Sequence, residues 1–328
     1  MIFLKKPLII LTGPTAVGKT KLSISLAQAV NGAIISADSM QVYRHMDIGS
    51  AKIRPEEMCG VPHYLIDVLD PSEEFHVVKF VELAHEAMEK IYAAGQIPIV
   101  TGGTGFYIQA LLKEVDFTES HGELSIRKQL EEKAATEEGA AELYRELSEV
   151  DPASAETIQP NNVKRVIRAL EYYHETGQKI SEHNEEQKQK ESPYCSAYFV
   201  LNDERSILYD RIDRRVDQMI CDGLVDEVFR LKEMGYTRDL VSMQGLGYKE
   251  LFPYLAGECT LEEAVYIIKR DTRHFDKRQL TWFRREKDVI WLNKPDFDYD
   301  EEKILSYMLD RWNEIVSADA KEEGEQSC

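Results

Sequence analysis

The segment Gly13-Pro-Thr-Ala-Val-Gly18-Lys19-Thr20 constrains the fold more tightly than any other stretch of the chain. It follows a continuous apolar run, Pro7-Leu-Ile-Ile-Leu-Thr12, and precedes a repeat in which Leu22, Ser25, Leu26 and Ala29 recur at i, i+3, i+4 and i+7 before Asn31-Gly32. A buried strand, a glycine turn and a helix in that order match G-x-x-x-x-G-K-[ST], the loop that wraps phosphate. Its glycines let backbone N–H groups converge on phosphate oxygens, Lys19 reaches the terminal phosphate, and the Thr20 hydroxyl can ligate Mg²⁺. Gly13, Pro14, Thr15, Ala16, Val17, Gly18, Lys19 and Thr20 are therefore expected to bind a diphosphate or triphosphate.

The pattern around that loop predicts the rest of the domain. Residues 33–37, 64–68 and 97–101 read as strands, and Val77, Phe80, Val81, Ala84, Met88 and Ile91 mark an amphipathic helix closed by Gly95. Strands alternating with helices predict an α/β fold, a P-loop NTPase-like doubly wound parallel sheet, whose ligands gather at the carboxyl ends of the strands. Gly13, Asp38 and Gly102 each follow such an end. Residues 1–113 are expected to form the first part of this core. Residues 114–193, rich in Glu, Lys, Arg, Gln and Ala and broken by Asp151-Pro152 and Gln159-Pro160, read as an all-helical insertion. The core resumes over 194–316 with strands at 197–201 and 289–292 and a long helix from Leu261, and the acidic tail 317–328 is expected to be disordered.

Charge and cysteine usage exclude several classes. A net charge of −19 opposes a surface uniformly attractive to nucleic acid, so any such contact needs a local reversal. Residues 269–287 supply one, with eight Lys and Arg against three Asp and Glu. Arg270, Arg273, Lys277 and Arg284 fall on one helical face, either simply solvated or lining a phosphate-binding surface. The cysteines at 59, 195, 221, 259 and 328 form no C-x-x-C pair, and the eight histidines show no H-x-x-x-H spacing, so neither a zinc module nor a disulfide frame is expected. The apolar run 8–11 is too short for a signal core or a membrane span. A cytoplasmic chain with no membrane partner is expected.

The loop alone does not name a reaction. A guanine-nucleotide switch needs D-x-x-G, and no Asp here stands three residues before a Gly. Asn293-Lys-Pro-Asp296 imitates a guanine-reading N-K-x-D but also suits a turn after the last strand. Asp38 can serve as a Mg²⁺ ligand or as a general base. Tyr107 and Tyr248, each near a glycine, suit either packing or stacking on a base. A small-molecule or nucleotide kinase, with the insertion as its lid, is the alternative enzyme class.

Asp38-Ser-Met-Gln41-Val-Tyr43-Arg-His-Met46-Asp47-Ile-Gly49, taken with Gly13 to Thr20 and Gly102-Gly-Thr-Gly-Phe-Tyr107, resembles the tRNA dimethylallyltransferases. The resemblance continues through Asn161-Asn-Val-Lys-Arg165-Val-Ile-Arg168, Arg211-Ile-Asp-Arg-Arg215, Gly245-Leu-Gly-Tyr248 and Arg273 to Arg284, nearly the whole chain. It implies transfer of a dimethylallyl group from dimethylallyl diphosphate to the N6 amine of the adenosine 3′ of a tRNA anticodon, giving N6-isopentenyladenosine. It further implies catalytic roles for Asp38 as base, for Lys19 and Arg215 on the diphosphate and for Thr104, with Mg²⁺ as cofactor held by Thr20. Its tRNA-facing residues would be Asp38, Ser39, Met40, Gln41, Thr104, Arg127, Lys164, Arg165 and Arg168, together with Gln244, where some relatives carry Arg. Arg273 and Lys277 join them from the basic helix. The expected partner is the anticodon stem-loop, bound by a monomer, and the lack of a cysteine pattern for a C-terminal zinc finger points to the bacterial type.

Overall fold

A computed structural model describes residues 5–116 and 124–326. The chain divides into two units, one made of residues 1–112 with 192–328 and the other of 113–191. Before the division come β1 (Lys6–Thr12), α1 (Lys19–Val30), β2 (Gly32–Ser36), β3 (His63–Tyr64), α2 (Val77–Ala93), β4 (Ile97–Gly102) and α3 (Gly105–Leu112). The smaller unit holds α4 (Leu124–Lys133), α5 (Glu137–Val150), α6 (Pro152–Thr157), α7 (Val163–Thr176) and α8 (Ile180–Gln189). The larger unit then resumes with β5 (Tyr194–Asn202), α9 (Arg205–Cys221), α10 (Leu224–Glu233), α11 (Leu251–Leu255), α12 (Leu261–Phe283), β6 (Ile290–Asn293) and α13 (Glu301–Gln326).

Among the described residues, six strands form one sheet in the order β3-β2-β4-β1-β5-β6, and every pairing is parallel. β1 lies inside it, with Ile9 opposite Ile99 of β4 and Ala197 of β5. A parallel sheet covered on both faces needs apolar side chains on both, which is why the middle of β1, residues 8–11, is Leu-Ile-Ile-Leu without a polar break. Leu8 and Ile10 pack into one core with Ile35, Val100 and residues of α2 and α3; Ile9 and Leu11 pack into the other with Leu22 and Leu26 of α1 and Met308 and Trp312 of α13. α12 starts on a capping box in which Thr260 accepts from the Glu263 N–H at 3.2 Å and Glu263 accepts from the Thr260 N–H at 2.8 Å.

Two expectations from sequence are corrected. The strand expected over 64–68 is only His63–Tyr64, because Leu65 and Asp67 adopt left-handed backbone at φ +62° and +56° and turn the chain out of the sheet. The tail expected to be disordered from 317 is helical as far as 326, continuing α13, whose Met308, Trp312 and Val316 are anchored in the core; residues 327–328 lie outside the described residues.

The smaller unit has its own core of Leu130, Leu143, Leu147, Val166, Ile167 and Leu170. Buried Glu171 is shared there by Arg168 at 2.9 Å and Arg127 at 3.4 Å. Among the described residues, no helix is long and apolar enough to cross a membrane. Cys59, Cys195, Cys221 and Cys259 are free thiols.

Candidate active site

The phosphate loop is built by glycines that nothing else can replace. Gly13 sits at φ +148°, and a Cβ there would lie 2.2 Å from the Leu201 carbonyl oxygen of β5. Gly18, at φ +101°, opens α1 without a side-chain cap, and the first turn of that helix carries no acidic residue. Its free N–H groups and positive dipole end are thus left for an anion. Lys19 Nζ donates to the carbonyls of Pro14 at 2.8 Å and Gly13 at 3.0 Å. Burial and then the Arg215 guanidinium push the Lys19 ammonium down to about 8, against the opposing pull of Asp38 and Asp276. Burial likewise lowers Arg215, and the Asp38 charge opposes it. Two cations and two carboxylates therefore share one low-dielectric neighbourhood at the loop.

Asp38 follows β2, and its Oδ1 accepts the Met40 N–H at 2.8 Å, an Asx turn that fixes the carboxylate at the sheet edge. The next strand end is pressed against it. A Cβ on Gly102 would meet the Ala37 carbonyl oxygen at 2.4 Å, and the Thr104 N–H donates to that same oxygen at 3.3 Å. Asp38, Thr104, Arg215 and Thr15 of the loop thereby line one cleft of about 310 Å³. Ile212, Val216, Met219, Ile268 and Phe275 form an apolar wall of the same cleft.

Several other residues singled out from sequence lie in the same place. Ser39, Met40 and Gln244 line the cleft, although the Gln244 Nε2 donates to the Arg238 carbonyl. Gln41 does not: its side chain accepts from Ser36 Oγ at 3.0 Å and donates to the carbonyls of Ser50 and Ala51 at 3.3 Å, bracing the loop after β2. On α12, Arg273 pairs with Asp213 of α9, and Lys269 pairs with Asp217 at 2.6 Å. Part of the basic run thus ties two helices together. Lys277 is exposed and, with Arg278, Trp282 and Arg285, lines a shallow depression on that helix. In the smaller unit Lys164 and Arg165 are exposed, while Arg127 and Arg168 are engaged with Glu171.

Both tyrosines weighed as stacking platforms are packing residues. Tyr107 stacks on Phe80 at 4.9 Å between ring centres, and Tyr248 is fully buried with its hydroxyl donating to Glu227 at 2.7 Å. Asn293-Lys-Pro-Asp296 forms a tight turn in which Asn293 Nδ2 donates to Asp296 Oδ2 at 3.0 Å.

Three residues that no sequence motif marks organise the site. Gln279 of α12 joins the phosphate loop to the loop after β4: its Oε1 accepts the Thr15 N–H and its Nε2 donates to the Gly103 carbonyl, each at 3.0 Å. Asp276, one turn earlier, is 1% exposed, its Oδ1 has no hydrogen-bond partner among the described residues, and burial pushes its carboxyl up to about 6 against the pull of Lys19 and Arg205. Glu227 of α10, 2% exposed, accepts the N–H groups of Asp47 at 3.0 Å, Ile48 at 2.8 Å and Gly49 at 3.2 Å as well as the Tyr248 hydroxyl. The available signal was a polar pair, Asp276 and Gln279, at i and i+3 on the face that also carries Ile268, Leu280 and Phe283.

Comparison with known proteins places this site in a family. The model of the IPP transferase family matches residues 41–286. The chain is 65% identical over 304 residues to a protein of Lachnoclostridium phytofermentans named tRNA dimethylallyltransferase, covering 93% of this chain and 96% of that one. A protein of the same name from Acetivibrio thermocellus is 50% identical over 303 residues, covering 92% and 96%. Among solved structures, the full-length tRNA isopentenylpyrophosphate transferase of Bacillus halodurans superposes with a TM-score of 0.73 at 44% identity, covering 96% of this chain and 100% of that chain. A eukaryotic dimethylallyltransferase described as acting on tRNA superposes with a TM-score of 0.77 at 34% identity, covering 88% of this chain and 74% of that chain. The family model spans well over half of the sequence and these relatives are aligned over nearly all of it: the chain belongs to the IPP transferase family.

Proposed function

We propose that the protein transfers the dimethylallyl group of dimethylallyl diphosphate to the N6 amine of the adenosine 3′-adjacent to the anticodon in tRNA, giving N6-isopentenyladenosine and diphosphate. The observation that carries this reading is the cleft itself: Asp38, Thr104 and Arg215 line it beside Thr15 of the loop, together with the apolar side chains of Ile212, Val216, Met219, Ile268 and Phe275. A branched five-carbon chain suits those apolar side chains. The relatives named tRNA dimethylallyltransferase favour this reading over a kinase.

The chemistry follows from the charges. The adenine N6 lone pair is delocalised into the ring, so attack on the allylic carbon needs a base to take the amine proton as the carbon–nitrogen bond forms; in this reading Asp38 is that base. The carbon–oxygen bond breaks and its electron pair leaves on the diphosphate, where Lys19, Arg215 and the amides of the loop stabilise the growing negative charge. Removing one such group costs roughly 3 to 4 kcal/mol of transition-state stabilisation. Thr104, held on the Ala37 carbonyl, lies beside Asp38 where the incoming nucleoside must fit. The adenosine has to leave its stack to enter, which costs a few kcal/mol and is least in a flexible anticodon loop.

Mg²⁺ fits the donor set: Thr20, in the first turn of α1, offers a hard hydroxyl oxygen, and this ion is ordinarily held by one or two protein oxygens with phosphate and water completing its shell. It would supply further neutralisation of the diphosphate charge. For the RNA partner, Lys164 and Arg165 on the exposed side of α7 and Lys277 on α12 are proposed phosphate contacts. The direct test is incubation with labelled dimethylallyl diphosphate and total tRNA followed by nucleoside analysis. Label in N6-isopentenyladenosine is expected; label released only as free dimethylallyl alcohol would refute the assignment.

A further inference from the structure

The turn after β6 has a residue whose burial its own packing does not explain. Lys294 is 8% exposed, and its Nζ lies 3.0 Å from the position a Cβ would take on Gly18, the residue that opens α1. Among the described residues this ammonium makes no ion pair and no hydrogen bond. The carboxylates that act on it from a distance are already committed, Glu301 to Lys21 at 2.6 Å and Asp203 to Arg211 at 2.7 Å. Burial first, then the Arg211 charge, lowers its pKa from the ordinary lysine range. The stem is buried while the ammonium, unpaired beside Gly18, stands where an anion held at the start of α1 would meet it.

The sheet order says which anion. Asp38 follows β2 and Thr104 follows β4, both on one side of β1; Lys294 follows β6, on the other side. A diphosphate held in the loop between them has two unlike phosphates. The one bearing the prenyl group must face Asp38, which leaves the terminal one for the opposite side, at Gly18. We propose that Lys294 binds the terminal, non-reacting phosphate of the donor diphosphate. This rests on the prenyl-transfer reading for the identity of the donor, but the anion site itself does not.

Lys294→Met keeps the side-chain stem and removes the charge, and Lys294→Arg keeps the charge. Affinities for inorganic diphosphate and inorganic phosphate are measured by calorimetry on the full-length protein, alongside steady-state transfer and the melting temperature without ligand. In the methionine variant, diphosphate binding is expected to weaken about ten- to hundredfold, as for removal of a charge-assisted hydrogen bond. The preference for diphosphate over phosphate should shrink in proportion. KM for dimethylallyl diphosphate should rise similarly with kcat held within about threefold, the pattern of an interaction made equally in ground and transition states. The arginine variant should recover most of the affinity, and melting of the methionine variant should be unchanged or higher. Wild-type diphosphate affinity in the methionine variant, an arginine variant as weak as it, or equal weakening for both anions with a lower melting temperature would each overturn the proposal. If the unaltered protein transferred no prenyl group while its diphosphate binding still depended on Lys294, the transfer reading would fail and the anion site would stand.

Discussion

Gln279 and Thr15 are joined at 3.0 Å although they lie 264 positions apart. The same amide holds the Gly103 carbonyl, so one side chain bridges the loop from Gly13 to Thr20 and the loop that carries Thr104. Gln279→Ala leaves a part-buried N–H and a part-buried C=O without their protein partner, a loss of about 1 kcal/mol in stability. The expected outcome is a lower denaturation midpoint in urea together with a raised KM for dimethylallyl diphosphate; an unchanged KM would show that the two loops keep their spacing without it.

Donor affinity should depend on pH through Lys19. This ammonium, pushed down to about 8 by burial and Arg215, must be charged to hold phosphate. Affinity for fully ionised dimethylallyl diphosphate is therefore expected to be level below pH 8 and to fall above it, approaching tenfold per unit before bound phosphate compensates. Calorimetry at pH 7, 8 and 9 reads this directly.

Asp276 contributes in the opposite sense. Its folded-state carboxyl is raised to about 6 from 3.8, so the unfolded chain gains by ionising first as pH rises through that window. The resulting loss of stability is absent below about 3.8, accumulates up to about 6 and is complete above it. Asp276→Asn should accordingly melt higher than the wild type at pH 7.5, by roughly 2 to 4 °C per kcal/mol relieved, with the difference disappearing toward pH 4. Because Asp276 also raises Lys19, the variant should lose donor affinity at a lower pH than the wild type does.

Much of this was legible in the sequence, for identifiable reasons. The loop from Gly13 to Thr20 is contiguous, so strand, turn and helix could be read from one short segment, and Asp38 and Gly102 followed from where apolar runs stop. The long helix expected from Leu261 is there as α12. What escaped depends on partners distant in sequence. Glu227 meets the N–H groups of residues 47–49 across about 180 positions, and no local pattern marks it. Gln279 and Asp276 sit on the inward face of a helix whose basic residues are its most conspicuous feature in sequence, and β3 stopped early because Leu65 and Asp67 take left-handed conformations that ordinary strand formers do not advertise.

The RNA surface is tested by charge reversal on α7. Lys164 and Arg165 are exposed, so Lys164→Glu with Arg165→Glu should leave melting within about 0.5 kcal/mol of wild-type stability. Binding of tRNA should weaken, and the slope of log affinity against log salt should fall by about one to two units, roughly one for each phosphate no longer neutralised. Filter binding over a salt series gives both quantities; an unchanged slope would remove α7 from the interface.

Asp38→Asn asks the central question most directly. The asparagine keeps the Oδ1 that accepts the Met40 N–H, so the loop after β2 should stay in place while the carboxylate is lost. In single-turnover reactions with saturating donor and tRNA, the rate of N6-isopentenyladenosine formation is expected to fall by about 10² to 10⁴ while both substrates bind within about threefold of wild type. A variant that transfers the prenyl group at the wild-type rate would contradict the assignment of Asp38 as the base.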